Sequence, residues 1–303
     1  MTTPRGGWRG LADRAETAAA RVLLAASAPL STDRLVRVAG AVGGAVLPRI
    51  PPLRRRIEGN LAALGAEARG LEAGALEHAV GDHFARVIAE YMRLDEIAAD
   101  PTRLEVEDDA PLADALASGR GVVLVSAHHG NWEAVRLAVR RHGRDCALIY
   151  RAFNNPRFDA LAQDLIRRAG EPVLHKGREG TRALLRHVAR GGVALILIDQ
   201  RQTGAPLLPF LGREAETSTA AAELAVRFGA ALVPARARRL PDGRRFGVRF
   251  GPEIPAGDPV AMTATANDVI SDWIREDPGQ WFWLHRRWLL RPRGAGIRAA
   301  RGR

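Results

Sequence analysis

A chain of 303 residues that is 47% hydrophobic suits one large domain, or one domain with a helical appendage, around a substantial core. The formal charge of +11 points to anionic partners, whether nucleic acid, acidic lipid headgroups or an acidic carrier protein. Lys176 is the only lysine, so nearly all of that charge is arginine; the skew also follows from nucleotide composition, yet a planar guanidinium suits phosphate. Cys146 is the only cysteine, which excludes an intramolecular disulfide framework and a Cys-based zinc cluster and favours a reducing compartment.

Residues 11–97 read as helical and are rich in Ala, Leu and Arg, with punctuation at Gly40, Gly43, Gly44 and the Pro-rich 48–52. No stretch reaches the roughly 18 apolar residues of a membrane-spanning helix. The two nearest, 22–32 and 38–48, are short and are separated by Asp33, Arg34 and Arg37. A signal peptide fits poorly, because Asp13 and Glu16 precede the apolar part. The region is therefore expected to lie on a bilayer as interfacial helices, with helices capping the core as the equal alternative. Arg54, Arg55 and Arg56 open a helix whose apolar stripe is Ile57, Leu61 and Leu64. Positive charge at a helix start opposes the macrodipole and hints at an outside partner, although solvated side chains are the simpler reading.

After Asp100-Pro101 the period changes, and short β-branched runs alternate with helical stretches. Strands are predicted at 121–126, 145–150, 173–175, 193–198, 232–236 and 246–250. Helices are predicted up to 141, at 156–169, 181–189, 218–228 and 263–275. That alternation predicts an α/β class: a mostly parallel central sheet flanked by helices, with an N-terminal helical region. The expected divisions are a helical region at 1–98, the α/β domain at 99–291 and a flexible basic tail at 292–303. Ligands of such sheets gather at the carboxyl ends of the strands, where His128, Arg151 and Asp199 fall. The Trp-rich run at 280–288 reads as a packed C-terminal strand, or else as an interfacial aromatic belt beside Arg286 and Arg287.

The most informative stretch is 121–134, a buried-strand pattern ending in His128 and His129 and running into a helix that carries Glu133. Asn131 reads as the N-cap of a helix beginning at Trp132. A carboxylate in a first turn simply complements the helix dipole, but that leaves the histidine pair unexplained. An imidazole oriented by a carboxylate is the arrangement expected of a general base acting on a hydroxyl. Spacing alone does not choose between the two histidines.

His128 with Glu133, Tyr150-Arg151 followed by Asn155-Pro156 and Asp159, Asp199-Gln200, the run 209–212 with Thr217-Ser218-Thr219, and the ending 280–288 together resemble the lipid A biosynthesis lauroyl/myristoyl acyltransferases, a branch of the lysophospholipid acyltransferase superfamily. The resemblance implies that His128 is the general base and Glu133 its acidic partner. It also implies transfer of a fatty acyl chain from an acyl-carrier-protein or acyl-CoA thioester, a co-substrate rather than a cofactor, to a hydroxyl of a lipid A precursor. The expected partners are that donor, the lipid acceptor and the cytoplasmic face of the inner membrane, with no metal and no nucleic acid.

The substrate-binding set that follows is Asn131, Arg151, Asp199, Gln200, Thr217, Ser218, Arg286 and Arg287. Arg151 is read toward an acceptor phosphate, against an ion pair with Asp159 or Asp199. Asp199 either positions the acceptor or holds Arg151 or Arg201. Thr217 and Ser218 either form a helix-start anion site or merely cap the helix. Cys146 is read as packing. Many relatives have an evident N-terminal anchor, whereas this chain has a weak apolar region. The same chemistry on a phosphatidylinositol mannoside or ornithine lipid is the alternative. A basic nucleic-acid-binding protein is the reading from another class, but it lacks RNA-binding signatures and zinc spacing. A serine hydrolase lacks the Gly-X-Ser-X-Gly elbow.

Overall fold

The structure, a computed structural model, describes residues 7–288; the tail expected at 292–303 lies outside them. Five helices come first: α1 (Gly7–Ser27), α2 (Thr32–Val46), α3 (Pro51–Leu64), α4 (Ala73–Tyr91) and α5 (Leu94–Ala99). None of the helices among the described residues is long and apolar enough to cross a membrane. The glycines at 40, 43 and 44 do not break α2. They let it lie against α4 at backbone distance, since a Cβ at Gly43 would meet the Gly81 carbonyl oxygen at 2.3 Å.

The rest is an α/β sandwich of β1 (Leu104–Asp108), α6 (Ala110–Ala117), β2 (Val122–Ser126), α7 (Glu133–Arg141), β3 (Cys146–Tyr150), α8 (Pro156–Arg167), β4 (Val173–His175), α9 (Arg178–Ala189) and β5 (Val193–Leu197). It continues through the hairpin β6 (Leu207–Phe210) and β7 (Arg213–Glu216), then α10 (Ala220–Phe228), β8 (Ala231–Arg239), β9 (Phe246–Phe250) and α11 (Pro259–Glu276). The main sheet has the order β1-β9-β8-β2-β5-β3-β4, and every pairing in it is parallel except β8 with β9. Each residue of β2 is buried, as expected of a central strand covered on both faces.

Two apolar layers sandwich the sheet. One joins Val123 and Val125 to α3, α4, α10, α11 and the tryptophans near the C-terminus; the other joins Val122 and Leu124 to α5, α6 and α7. Ile57, Leu76 and Val80 of the helical region belong to the first layer, so that region and the sheet share one core. Helix α7 leaves β2 toward one face, and α10, which follows β5 through the hairpin, packs on the other. Neighbouring strands whose connections diverge in this way open a crevice at their carboxyl ends.

Three features differ from the sequence reading. Strand β1 and helix α6 escaped it, because β1 alternates Leu-Glu-Val-Glu-Asp at an edge where charged side chains dilute the apolar pattern. The hairpin β6–β7 escaped it as well, having only four residues per strand. The run 280–288 is not a strand; it is an irregular segment tied to the sheet by a single bridge between His129 and Trp281. Its burial fits no single alternation either, since the successive residues Arg287 and Trp288 are both buried while His285, in phase with Trp281 and Trp283, is only partly so.

A buried ion pair fastens α4 to the sheet. Arg239 on β8 grips Glu90 with both terminal nitrogens, Nη2 donating to Oε2 at 2.9 Å, and both side chains are sealed from solvent. Replacing Arg239 with Met strands a buried carboxylate. Urea unfolding is expected to show a loss of about 3–5 kcal/mol, with only part of it recovered when Glu90→Leu is added, because leucine leaves the Asn131 amide without its acceptor. An Arg239→Met chain as stable as its parent would remove this pair from the account.

Candidate active site

The register between β2 and β5 builds the site. Each residue of β2 pairs with the residue 71 positions later, from Val122 with Val193 to Ser126 with Leu197, and the Ile198 N–H still donates to the Ser126 carbonyl at 2.9 Å. Carried two residues past Ser126, the same offset sets His128 opposite Asp199. The His128 N–H donates to Asp199 Oδ2 at 3.0 Å, and His128 Nδ1 lies 2.8 Å from Asp199 Oδ1. Trp281 Nε1 donates to Oδ2 at 2.8 Å. Asp199 is fully buried.

Burial alone would discourage ionisation of Asp199, but the attraction and hydrogen bond of His128, together with the Trp281 N–H, outweigh it and hold the carboxyl well below the usual carboxylate range. An ionised carboxylate can only accept, so the proton on the His128 ring sits at Nδ1 and leaves Nε2 free to take another. The His128 side chain keeps 21% of its surface exposed. It stands edge-on to Trp132 at 5.0 Å between ring centroids, with Phe282 at 6.0 Å. Val80, Phe84 and Val87 of α4 complete a narrow apolar recess of about 10 Å³ beside it.

This corrects the expected partnership with Glu133. Glu133 is fully buried and engaged elsewhere, accepting from the Tyr91 hydroxyl at 2.8 Å and pairing with Arg136 at 2.5 Å. Arg136 in turn binds the carbonyls of Cys146, Ile166 and Gly170, so Glu133 locks α7 to β3 and to the loop after α8. Burial first, and the Glu133 charge second, push the Tyr91 phenol well above its ordinary range and keep it a donor. Among the described side chains the carboxylate bonded to His128 is Asp199, 71 residues away in sequence.

The loop between β2 and α7 is clamped by α4 and by the segment at 277–282. His83 lies 3.1 Å from the Gly130 carbonyl, and the Gly130 N–H donates to the carbonyl of Gln280 at 3.0 Å. The Phe282 N–H donates to the His128 carbonyl at 2.9 Å. Gly130 has φ +58°, and any Cβ there would fall 1.6 Å from the Ala237 carbonyl oxygen, so only glycine fits.

The other expected site residues separate into two groups. Asn131 is buried: its amide donates to Glu90 at 2.8 Å and its carbonyl oxygen accepts from the Glu133 N–H at 3.1 Å. It therefore supports the start of α7, one residue later than expected, rather than meeting a ligand. Thr217 and Arg287 are also sealed in and bonded to each other at 2.5 Å, which pins the C-terminal segment to the hairpin. Ser218 Oγ accepts from the Ala220 N–H at 3.4 Å, a weak local contact at the start of α10. Asp199 holds neither Arg151 nor Arg201; the latter pairs with Glu216. Arg151, Gln200 and Arg286 are exposed, and Arg151 has no ion pair among the described residues. His129, the alternative base, is buried with Nε2 3.1 Å from the Asp277 carbonyl. Cys146 is buried inside β3, and burial pushes its thiol up to about 12, as befits packing.

Sequence reasoning missed Trp281 as a hydrogen-bond donor and missed the whole contribution of α4. A signal was present: His83, Val87, Glu90 and Tyr91 recur at helical spacing on one otherwise apolar face.

Three histidines around the His128–Asp199 pair, His83, His129 and His285, are held neutral, each chiefly by burial, with His83 lowered well below its ordinary range. His129 is lowered to about 4 and His285 to about 4, the nearby carboxylates opposing the shift only in part. A folded value below the ordinary 6.5 means that the unfolded chain binds protons first as pH falls. These contributions to stability should therefore be complete above about pH 6.5 and be lost as pH falls, that of His129 amounting to on the order of 3 kcal/mol by about pH 4 and that of His83 adding in the same direction. Denaturant midpoints across that range test this, and a flat profile would contradict it.

Three comparisons bear on identity. The chain is 30% identical over 197 residues to the lipid A biosynthesis lauroyltransferase of Escherichia coli (strain K12), covering 62% of each protein. It is 28% identical over 188 residues to the phosphatidylinositol mannoside acyltransferase of Mycobacterium tuberculosis (strain CDC 1551 / Oshkosh), covering 58% of this chain and 57% of that one. The matches thus span about three fifths of these relatives' lengths. A crystal structure of the 1-acyl-sn-glycerophosphate acyltransferase PlsC from Thermotoga maritima covers 82% of this chain and 99% of its own at a TM-score of 0.38 and 9% identity, too loose a likeness to argue from. The family model of the bacterial lipid A biosynthesis acyltransferases matches residues 21–290. Spanning nearly all the described residues, that match means that the chain belongs to the bacterial lipid A biosynthesis acyltransferase family.

Proposed function

We propose that this protein transfers a fatty acyl group from an acyl-carrier-protein or acyl-CoA thioester to a hydroxyl of a lipid A precursor, with His128 as general base. The observation that carries the reading is the buried Asp199 carboxylate bonded to His128 Nδ1, which leaves Nε2 available in an apolar surround. The acceptor oxygen attacks the thioester carbonyl as its proton passes to Nε2. The tetrahedral oxyanion then collapses, the carbon–sulfur bond breaks, and the departing thiolate takes the proton from Nε2. No acyl-enzyme forms, so no nucleophilic side chain is required.

The hydrocarbon of the donor or acceptor approaches through the recess beside His128. Phe84 and Phe282, now 4.8 Å apart between ring centroids, have to separate to admit it, because about 10 Å³ holds no more than a water. Arg151 and Gln200 are open to a headgroup on the same sheet edge. Three related phosphatidylinositol mannoside acyltransferases favour a second reading, the same transfer to that glycolipid. Mass gain in a panel of purified lipid acceptors separates the two.

In such an assay His128→Ala and Asp199→Asn are expected to lower turnover by about 10³-fold, His128→Ala with a thermal midpoint near the parent's and Asp199→Asn with a lower one, since an amide nitrogen cannot accept from the buried donors around it. Glu133→Ala should lose turnover together with stability, since it strands the buried Arg136. A Glu133→Ala protein that keeps its midpoint yet loses turnover would return a direct chemical role to Glu133. Wild-type rates in both other variants would overturn the mechanism.

Attachment to the inner membrane from its cytoplasmic face fits the N-terminal helices. Val38, Val42 and Val46 form a stripe along α2 and are 56%, 56% and 46% exposed, while Val22 and Leu23 on α1 are 65% and 64% exposed. Arg34 and Arg37 are exposed on the same helix, α2. Such a surface seats in the headgroup layer without spanning it. In flotation assays the chain should rise with anionic vesicles, and a V38S/V42S/V46S variant should remain in the soluble fraction. Equal flotation of the two would remove α2 from the contact.

A further inference from the structure

Outside the catalytic recess, a cleft lies where the start of α3 meets the C-terminal segment. It has a volume of about 470 Å³, and Arg55, Arg56, Asn60, Arg286 and Trp288 are among the residues lining it. Three guanidinium groups therefore share one concavity. Among the described residues no carboxylate comes within ion-pair distance of any of them. Arg54 pairs with Glu58 at 3.5 Å, which takes the nearest acidic side chain of α3. Arg55 donates weakly to the Pro51 carbonyl at 3.3 Å and Arg56 to the Leu284 carbonyl at 3.1 Å, contacts that orient both side chains without neutralising them.

The helix itself does nothing to relieve this charge. Its positive end points the wrong way for arginines, Pro51 and Pro52 have no N–H, and the N–H groups of Leu53 and Arg54 are spent on the Ile50 carbonyl. A second, independent sign is Trp288. Its side chain is only 6% exposed, yet its indole N–H has no partner among the described residues. A buried donor is seldom left unpaired without an unseen acceptor.

We propose that this cleft is a phosphate-binding site: Arg55, Arg56 and Arg286 neutralise a phosphate ester carried by one of the two substrates, and the Trp288 N–H donates to it. Guanidinium groups match the oxygen geometry of phosphate, and three of them around one dianion are favoured over three repelling cations. The site communicates directly with the catalytic pair. Asn60 Nδ2 donates to the carbonyls of Trp283 and His285, both at 2.8 Å, so one wall of the cleft is the segment whose other end supplies Trp281 to Asp199 and Phe282 to the recess. A phosphate held here would anchor one end of a long substrate whose other end reaches His128. The proposal rests on the acyl-transfer reading for its substrate but not for its chemistry. The phosphate belongs either to the pantetheine arm of the donor or to the headgroup of the acceptor, and two probes tell these sources apart.

The test uses the full chain, with 4′-phosphopantetheine as the donor probe and hexyl phosphate as the acceptor probe, each against its phosphate-free counterpart in calorimetric titration at low salt. One phosphate probe should bind saturably and about tenfold or more tighter than its counterpart; R55Q/R286Q should remove that difference and R55K/R286K should keep most of it. In acyl transfer, R55Q/R286Q should raise KM about tenfold for the substrate that carries the matching phosphate and leave kcat within about twofold. The probe that binds identifies the source. No binding of either probe, or binding that R55Q/R286Q leaves unchanged in a protein of unaltered thermal midpoint, overturns the site. Binding that R55Q/R286Q abolishes in a wild-type chain that acylates no lipid would preserve the phosphate site and defeat the acyl-transfer reading instead.

Discussion

One buried carboxylate organises this molecule. Asp199 receives the backbone N–H of His128, its ring nitrogen and the indole of Trp281, so a single anion joins the end of β2, the end of β5 and the irregular C-terminal segment. Leaving such a group unsatisfied in the interior would cost several kcal/mol, and three directed donors remove that cost while fixing the tautomer of the imidazole. The parallel register at the sheet's divergence point makes this possible without any special backbone, because the ladder merely continues past the last paired residues.

A second layer keeps the arrangement from drifting. Helix α4 reaches the histidine loop through His83, Glu90 and Tyr91, each bonded to a different residue of that loop or to the helix that follows it. Glu90 is shared between Asn131 and Arg239, and Glu133 between Tyr91 and Arg136. The polar side chains under the site thus form two short closed chains of donors and acceptors. The first is sealed from water and the second nearly so, with Tyr91 partly buried at its edge; each member is costly to remove.

The sequence made the architecture legible wherever a single periodicity ruled a segment. The central strands, uniformly apolar because both faces are covered, stood out, as did the helices between them. Edge strand β1 and the hairpin did not, since charged side chains and short length blur alternation. The site was legible in part. His128 followed from the motif, but the local His-and-Glu pattern suggested a partner five residues away, and only strand register brings Asp199 across 71 positions. Residues with polar side chains at 131, 217 and 287 looked available for ligands because sequence does not report burial. The tryptophans near the C-terminus were rightly read as packed, yet the indole N–H that one of them lends to Asp199 has no signature in sequence.

The glycine seam between α2 and α4 has a mechanical corollary. Helices whose backbones meet, as these do at Gly43 and Gly81, have little freedom to slide or tilt independently, and the Arg86 and His78 side chains fill the notches left by Gly40 and Gly44. The outer stripe of α2 and the inner face of α4, which carries the histidine loop, are therefore opposite sides of one stiff slab. Wherever the valine stripe comes to rest against a surface, the spacing of the two helix axes sets the height of the imidazole above it.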